Sequence, residues 1–248
     1  MVRVERIGFT PVKGGRHVDH DEVQLALSGP VGDRAFCLVD LTRQRVLRTV
    51  ENPSLLPVVT RCHDDVLSVE LPAGHLEGVP VGTGSMRAVD YWGREAQVEI
   101  IDGPWAAGYS RFLGYEVVLA RPSISAEIVY GAAVSIVTTQ ALRWLAERVG
   151  HEVEAERFRS TFLIDSGPRA CRDESAWVGR QLQVGEARLR VVSAVPRCAV
   201  IDLDPTTGRR NRSLLRALAD PGGEEITFGL DAVVTRPGRV RVGDTVQS

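Results

Sequence analysis

Over the first hundred residues, apolar and polar positions alternate in short runs: Val2 to Phe9, Val23 to Leu27, Arg34 to Asp40, Val46 to Val50, Val58 to Cys62, Val66 to Leu71 and Gln97 to Ile101. Gly, Pro, Asp or Asn separates these runs, so the pattern predicts strands joined by turns, as in a barrel or sandwich. The period lengthens between Trp105 and Leu113, which predicts a short helix stopped by Gly114. A further strand is expected over Glu116 to Ala120, and Arg121-Pro122-Ser123-Ile124-Ser125 is the candidate junction between two halves.

The second half opens with an apolar strand, Val134 to Val137. Thr138 or Thr139 then supplies a helix N-cap, Leu142, Leu145, Ala146 and Val149 form one apolar face, and Gly150 ends the helix. Another apolar run covers Phe158 to Ile164. Trp177 to Gly185 and Ala187 to Ser193 read as a hairpin, and a helix over Ser213 to Ala219 precedes strands at Ala232 to Thr235 and Val240 to Val246.

The 248 residues can bury a sizeable core, and 44% hydrophobic with 25% charged residues is ordinary for a globular chain. Neither a membrane-spanning apolar stretch nor the apolar core of a signal peptide is present, so a cytoplasmic location is expected. Cys37, Cys62, Cys171 and Cys198 form no CxxC pair, which argues against zinc knuckles, thioredoxin-type motifs and ferredoxin-type clusters. Net charge is −2, but Arg157 to Arg216 holds 12 arginines against 6 acidic residues, a local balance of +6. That segment lacks the interleaved aromatics or reading helix of a nucleic-acid binder, so a small phosphorylated ligand suits it better.

Two positions carry candidate chemistry. In Val195-Pro196-Arg197-Cys198, Pro196 interrupts an alternating run and places the next two residues where a strand ends or bends. A thiol beside a guanidinium is biased toward thiolate, the form that attacks or binds metal. Lys13 is the one lysine against 29 arginines, followed by Gly14 and Gly15. A compact ammonium next to accessible backbone amides suits an anion. His17-Val18-Asp19-His20-Asp21 has metal-ligand residue types, but alternation puts His20 on the face opposite His17, Asp19 and Asp21. Cys37 reads as core, and Cys171 as a loop thiol that could relay a persulfide.

Five motifs, taken in order, resemble the MOSC-domain family, named for the C-terminal domain of molybdenum cofactor sulfurase. They are Pro11-Val12-Lys13, Gly32-Asp33-Arg34, Arg157-Phe158-Arg159, Asp173-Glu174 with Trp177, and Pro196-Arg197-Cys198 with Asp204-Pro205-Thr206-Thr207-Gly208. The resemblance implies a β-rich α+β protein: an N-terminal β-barrel-like domain over 1–120, then a MOSC β-barrel domain with peripheral helices over 121–248. It implies a molybdenum cofactor (molybdenum bound to molybdopterin) whose metal is ligated by Cys198, with Arg197 favouring the thiolate. Lys13, Arg34 and Arg159 match residues that hold the phosphate and pterin, with Arg157 and Gly14 beside them and Thr161 offering a hydroxyl. Asp204 and Thr207 match the turn that shapes the pocket. Asp202, which sits four residues after the cysteine, is added as a candidate proton relay.

Amidoxime-reducing members of this family have Pro and Asn after the second arginine, where this chain has Ser160 and Thr161; they have serines where it has Gly14 and Pro196. The activity implied is reduction of an N-hydroxylated or N-oxide small molecule. Because the chain ends without an iron–sulfur domain, electrons are expected from a separate protein of ferredoxin, flavodoxin or cytochrome type. The alternatives are sulfur transfer through a Cys198 persulfide and a non-enzymatic cofactor carrier. No nucleic-acid or membrane partner is expected.

Overall fold

The computed structural model describes residues 1–167, 174–219 and 225–247. The chain opens with β1 (Arg3–Phe9), β2 (Val18–His20), β3 (Glu22–Ala26) and β4 (Gly29–Pro30). There follow β5 (Cys37–Asp40), β6 (Arg45–Val46), β7 (Val59–His63), β8 (Val66–Leu71), β9 (Gly74–Gly78), β10 (Val81–Tyr91), β11 (Arg94–Asp102), helix α1 (Trp105–Leu113) and β12 (Val118–Pro122). The remainder contains β13 (Val134–Thr138), α2 (Thr139–Val149), β14 (Phe162–Asp165), β15 (Gln181–Val184), β16 (Ala187–Pro196), α3 (Leu214–Leu218), β17 (Thr227–Arg236), β18 (Gly238–Arg241) and β19 (Val246–Gln247).

Strands β10, β11, β12, β5 and β6 close a barrel, and β7, β8 and β9 form a separate sheet. β5 is buried on both faces because its register serves two cores. Cys37 and Val39 join Val89, Tyr91 and Val98 in one apolar cluster. Phe36 and Leu38 join Trp105, Tyr109, Leu67 and Val69 of α1 and β8 in the other. Burial pushes the Cys37 thiol up to about 12, so it is an inert core group.

The larger sheet has the order β19-β15-β16-β17-β13-β14-β1-β2, so strands from both halves share it. It curls until the β19 end reaches β1. Val4 N–H donates to Asp244 O at 2.9 Å, Val246 N–H to Val2 O at 3.0 Å, and an isolated bridge joins Arg3 and Thr245. Ile7, Ile136, Phe162, Leu189, Val191 and Leu230 lie in its core. α2 and α3 sit outside, packing Leu145 and Leu214 with Phe158, Ile201 and Phe228. Together these features make the fold β-rich α+β with peripheral helices.

Several elements differ from the sequence reading. β9 and β10 were not anticipated, because β10 is mostly exposed and holds Gly82 and Gly84, leaving no buried face to read as alternation. The strand expected over Val46 to Val50 stops at Val46, where the N–H groups of Glu51 and Asn52 turn back to Arg48 O. The Phe158 to Ile164 run divides: Ala155–Phe158 is a 3-10 turn ended by Arg159 at φ 52°, and β14 starts at Phe162. Val240 to Val246 likewise breaks at a turn into β18 and β19.

Candidate functional site

A cavity of about 330 Å³ opens between the two halves. Lys13, Arg34 and Tyr91 line it from one side; Arg159, Arg197 and Cys198 line it from the other. Residues separated by up to 185 positions therefore converge, as the sequence motifs require if they serve one ligand.

Each cation is placed by backbone geometry. Lys13 N–H donates to Phe36 O at 2.8 Å beside the Val12–Phe36 bridge, and its Nζ donates to Tyr91 Oη at 2.9 Å. Arg34 and Arg159 both take left-handed φ, 48° and 52°, which turns the chain sharply and points the side chains inward. Arg34 Nε donates to Asp33 Oδ2 at 2.8 Å, and Arg159 Nη2 donates to Gly15 O at 2.7 Å. Burial, reinforced by Arg34 and then Arg159, lowers the Lys13 pKa to about 7. Burial and Arg34 lower Arg159 to about 10. These groups repel one another in a desolvated place, an arrangement that an anion would relieve.

Pro196 closes β16 opposite Thr227, and Cys198 leads into the 3-10 turn Ala199–Asp202, so the thiol stands exposed at the strand's end. The Arg197 guanidinium turns inward: Nε donates to Phe228 O at 2.7 Å and Nη1 to Phe158 O at 2.9 Å, while Nη2 is buried without a partner. Burial brings Arg197 to about 10. Arg157 also lines the cavity, but its guanidinium is engaged, with Nε on Glu154 Oε2 at 2.7 Å and Nη1 on Leu203 O at 2.9 Å.

Other sequence candidates lie outside the lining. Gly14, at φ 94°, faces Leu55, whose Cδ1 would lie 3.2 Å from an added Cβ. Thr161 Oγ1 accepts from Ser135 N–H at 3.1 Å and its N–H donates to Ser135 Oγ, tying the approach to β14 onto β13. Asp202 is buried, and both carboxylate oxygens are engaged: Oδ2 accepts from Arg210 at 2.9 Å and Oδ1 from Leu215 N–H at 2.9 Å at the start of α3. Asp204 Oδ1 accepts from the N–H groups of Thr206 and Thr207, and Thr207 Oγ1 accepts from Arg209 N–H, so this turn holds itself. His17 is buried, which holds its pKa well below the usual histidine value. Asp173 and Cys171 lie outside the described residues. Desolvation raises the pKa of the half-buried Glu174, and its oxygens accept from Thr138 N–H at 2.8 Å and Gly229 N–H at 3.0 Å.

A family model, described as the MOSC domain, matches residues 122–247. The chain belongs to the MOSC family. Among relatives of this MOSC protein, mitochondrial amidoxime reducing component 2 of Rattus norvegicus is 24% identical, over 98% of this chain and 82% of its own. Molybdenum cofactor sulfurase of Anopheles gambiae is also 24% identical, over 92% of this chain but 34% of its own length. The crystal structure of the YUAD protein from Bacillus subtilis aligns over 99% of this chain and 94% of that one, with a TM-score of 0.49 and 12% identity.

Cavity residues that no sequence motif marked as site candidates include Arg48, Tyr91, Trp92, Tyr130, Ser135 and Asp231. Among the described lining residues Asp231 alone carries a carboxylate, and burial raises its pKa to about 6 despite a backbone hydrogen bond and Arg197. A lone acid inside the apolar run Phe228 to Val234 was the available signal.

Proposed function

We propose that this chain holds a molybdenum cofactor through Cys198 and uses it to reduce an N–O bond in a small N-hydroxylated or N-oxide compound. The observation that carries the reading is one exposed thiol opening onto a cavity that also receives half-buried, mutually repelling cations. The donor set suits the group: a soft thiolate is a ligand for molybdenum, and desolvated cations match a pterin-linked phosphate. When bound, the cofactor supplies two-electron redox chemistry.

The chain's own residues would do the rest. Cys198 ligates the metal, while Lys13, Arg34 and Arg159 hold the anionic end. Arg197 positions the cysteine loop by binding the carbonyls of Phe158 and Phe228. Reducing N–OH to N–H with release of water consumes two electrons and two protons. A separate electron-transfer protein supplies the electrons, and Asp231, held protonated more readily than an ordinary carboxylate, is suited to pass a proton inward. The exposed thiol also suits persulfide carriage, so sulfur transfer is the second reading.

The test is molybdenum and released pterin per chain in wild type and Cys198→Ala, both made in a host that synthesises the cofactor. Near-stoichiometric metal in the wild type, falling by about tenfold or more in the variant, supports the reading. A wild type without metal or pterin, but with cyanolysable sulfur on Cys198, would replace it with sulfur transfer.

A further inference from the structure

The rim of the cavity carries an aromatic pair, Trp92 and Tyr130, and the backbone disfavours the first of them. β10 and β11 are joined by a two-residue turn, Trp92-Gly93, with φ values of 56° and 77° and Tyr91 registered opposite Arg94. Positive φ at both central positions is the hairpin turn that selects Asn-Gly, because a short polar side chain or none relieves the contact with the backbone. A bulky indole at that place is conformationally costly. It is also 43% exposed, so core burial does not account for it.

What surrounds Trp92 points into the site. Tyr130, which comes from the other half and is 55% exposed, lies with its ring centroid 5.6 Å from that of Trp92 at 56°. Arg48 sits 4.2 Å over the indole and is itself anchored to Asp90 Oδ2 at 3.2 Å. All three residues line the cavity. Its 330 Å³ lies at the small end for a ligand pocket, so a group held by the cations inside leaves the exposed rim as the place for a second ligand.

We infer that Trp92 and Tyr130 form a ring-binding lip that selects substrates carrying a planar aromatic or heteroaromatic group next to the N–O bond. This rests on the proposed reduction for its substrate head group, while the ring contact stands on the lip alone. Exposed aromatic faces receive an exchangeable ligand from solvent, whereas the cations deeper in the cavity serve the resident one.

The experiment uses cofactor-loaded wild type, Trp92→Asn, Trp92→Phe and Tyr130→Ala. Trp92→Asn installs a residue that the turn accepts, so its thermal midpoint should equal or exceed that of the wild type. Molybdenum and pterin content should be unchanged in all four proteins. With N-hydroxybenzamidine and N-hydroxyacetamidine as paired substrates, Trp92→Asn should raise KM for the aryl compound about tenfold. Its kcat, and both constants for the methyl compound, should hold, and Trp92→Phe should restore most of the loss. Calorimetric titration with benzamide against acetamide, neither of which turns over, should show the same ring-dependent loss of affinity.

An aryl-to-methyl KM ratio unaltered in Trp92→Asn, with benzamide binding unaltered, overturns the inference. Loss of pterin from Trp92→Asn also overturns it, by assigning the lip to the cofactor. A wild type that holds molybdenum yet reduces neither substrate fails the proposed reaction. In that case Trp92-dependent benzamide binding still supports the lip, and absence of such binding overturns it as well.

Discussion

Lys13 shows how one buried charge couples the site to stability. Its pKa is about 7 in the folded chain against 10.5 for an ordinary lysine, with burial as the main cause. Between those values the unfolded chain binds a proton there that the folded chain does not, so stability rises with pH over that window. The slope is at most about 1.4 kcal/mol per pH unit. Urea unfolding of the unliganded protein at pH 7, 8 and 9 should show this gain, and Lys13→Met should lack it. An equal gain in the variant would assign the effect elsewhere. Arg159 and Arg197, near 10, act only at higher pH. Lys13 stood out in the sequence because every other basic residue is arginine. Trp92 and Asp231 did not, since neither belongs to a motif and only packing brings them to the cavity.

At the scale of elements, α2 is the part most fully legible in the sequence. Thr138 caps it through Oγ1, which accepts from Ala141 N–H at 3.1 Å, and Gly150 ends it at φ 74°. Thr138→Ala removes that cap at a cost of about 1 kcal/mol, a fall in Tm of roughly 2–4 °C, while leaving the backbone bond to Glu174. A calorimetric scan checks it, and an unchanged Tm would mean water replaces the cap. The strand–turn boundary at Phe158–Phe162 was less legible. There Arg159 adopts left-handed φ in an apolar run because the tertiary contact of its Nη2 with Gly15 O holds it. A single backbone reversal of that kind leaves no periodic signal.

For the whole molecule, the consequential contact is β1 beside β14, with Ile7 opposite Phe162 and Val4 opposite Ile164. The eight-stranded sheet whose β16 leads to Cys198 therefore contains β1 and β2 from one chain end and β19 from the other, and a separate small sheet pairs β3 with β18. If 121–248 is a domain in its own right, it should melt cooperatively when expressed alone. The strand pairing leads instead to the expectation that 121–248 lacks a cooperative transition and that 1–248 unfolds in one step. Circular dichroism melts of both chains distinguish these outcomes. No helix among the described residues is long and apolar enough to cross a membrane.

Local physics, written in the sequence, determined the β-rich character and the helices at α1 and α2, and residue chemistry marked Lys13 and the Arg197–Cys198 pair as candidates. Periodicity, caps and residue chemistry each act within a few positions. Tertiary structure alone decided that Asp202 serves α3 and that Arg157 is engaged by Glu154. It also made Asp231 the cavity's carboxylate and set Trp92 and Tyr130 at its rim. Those outcomes depend on which distant strands pair and how burial reshapes each charge, and neither quantity exists until the chain has closed on itself.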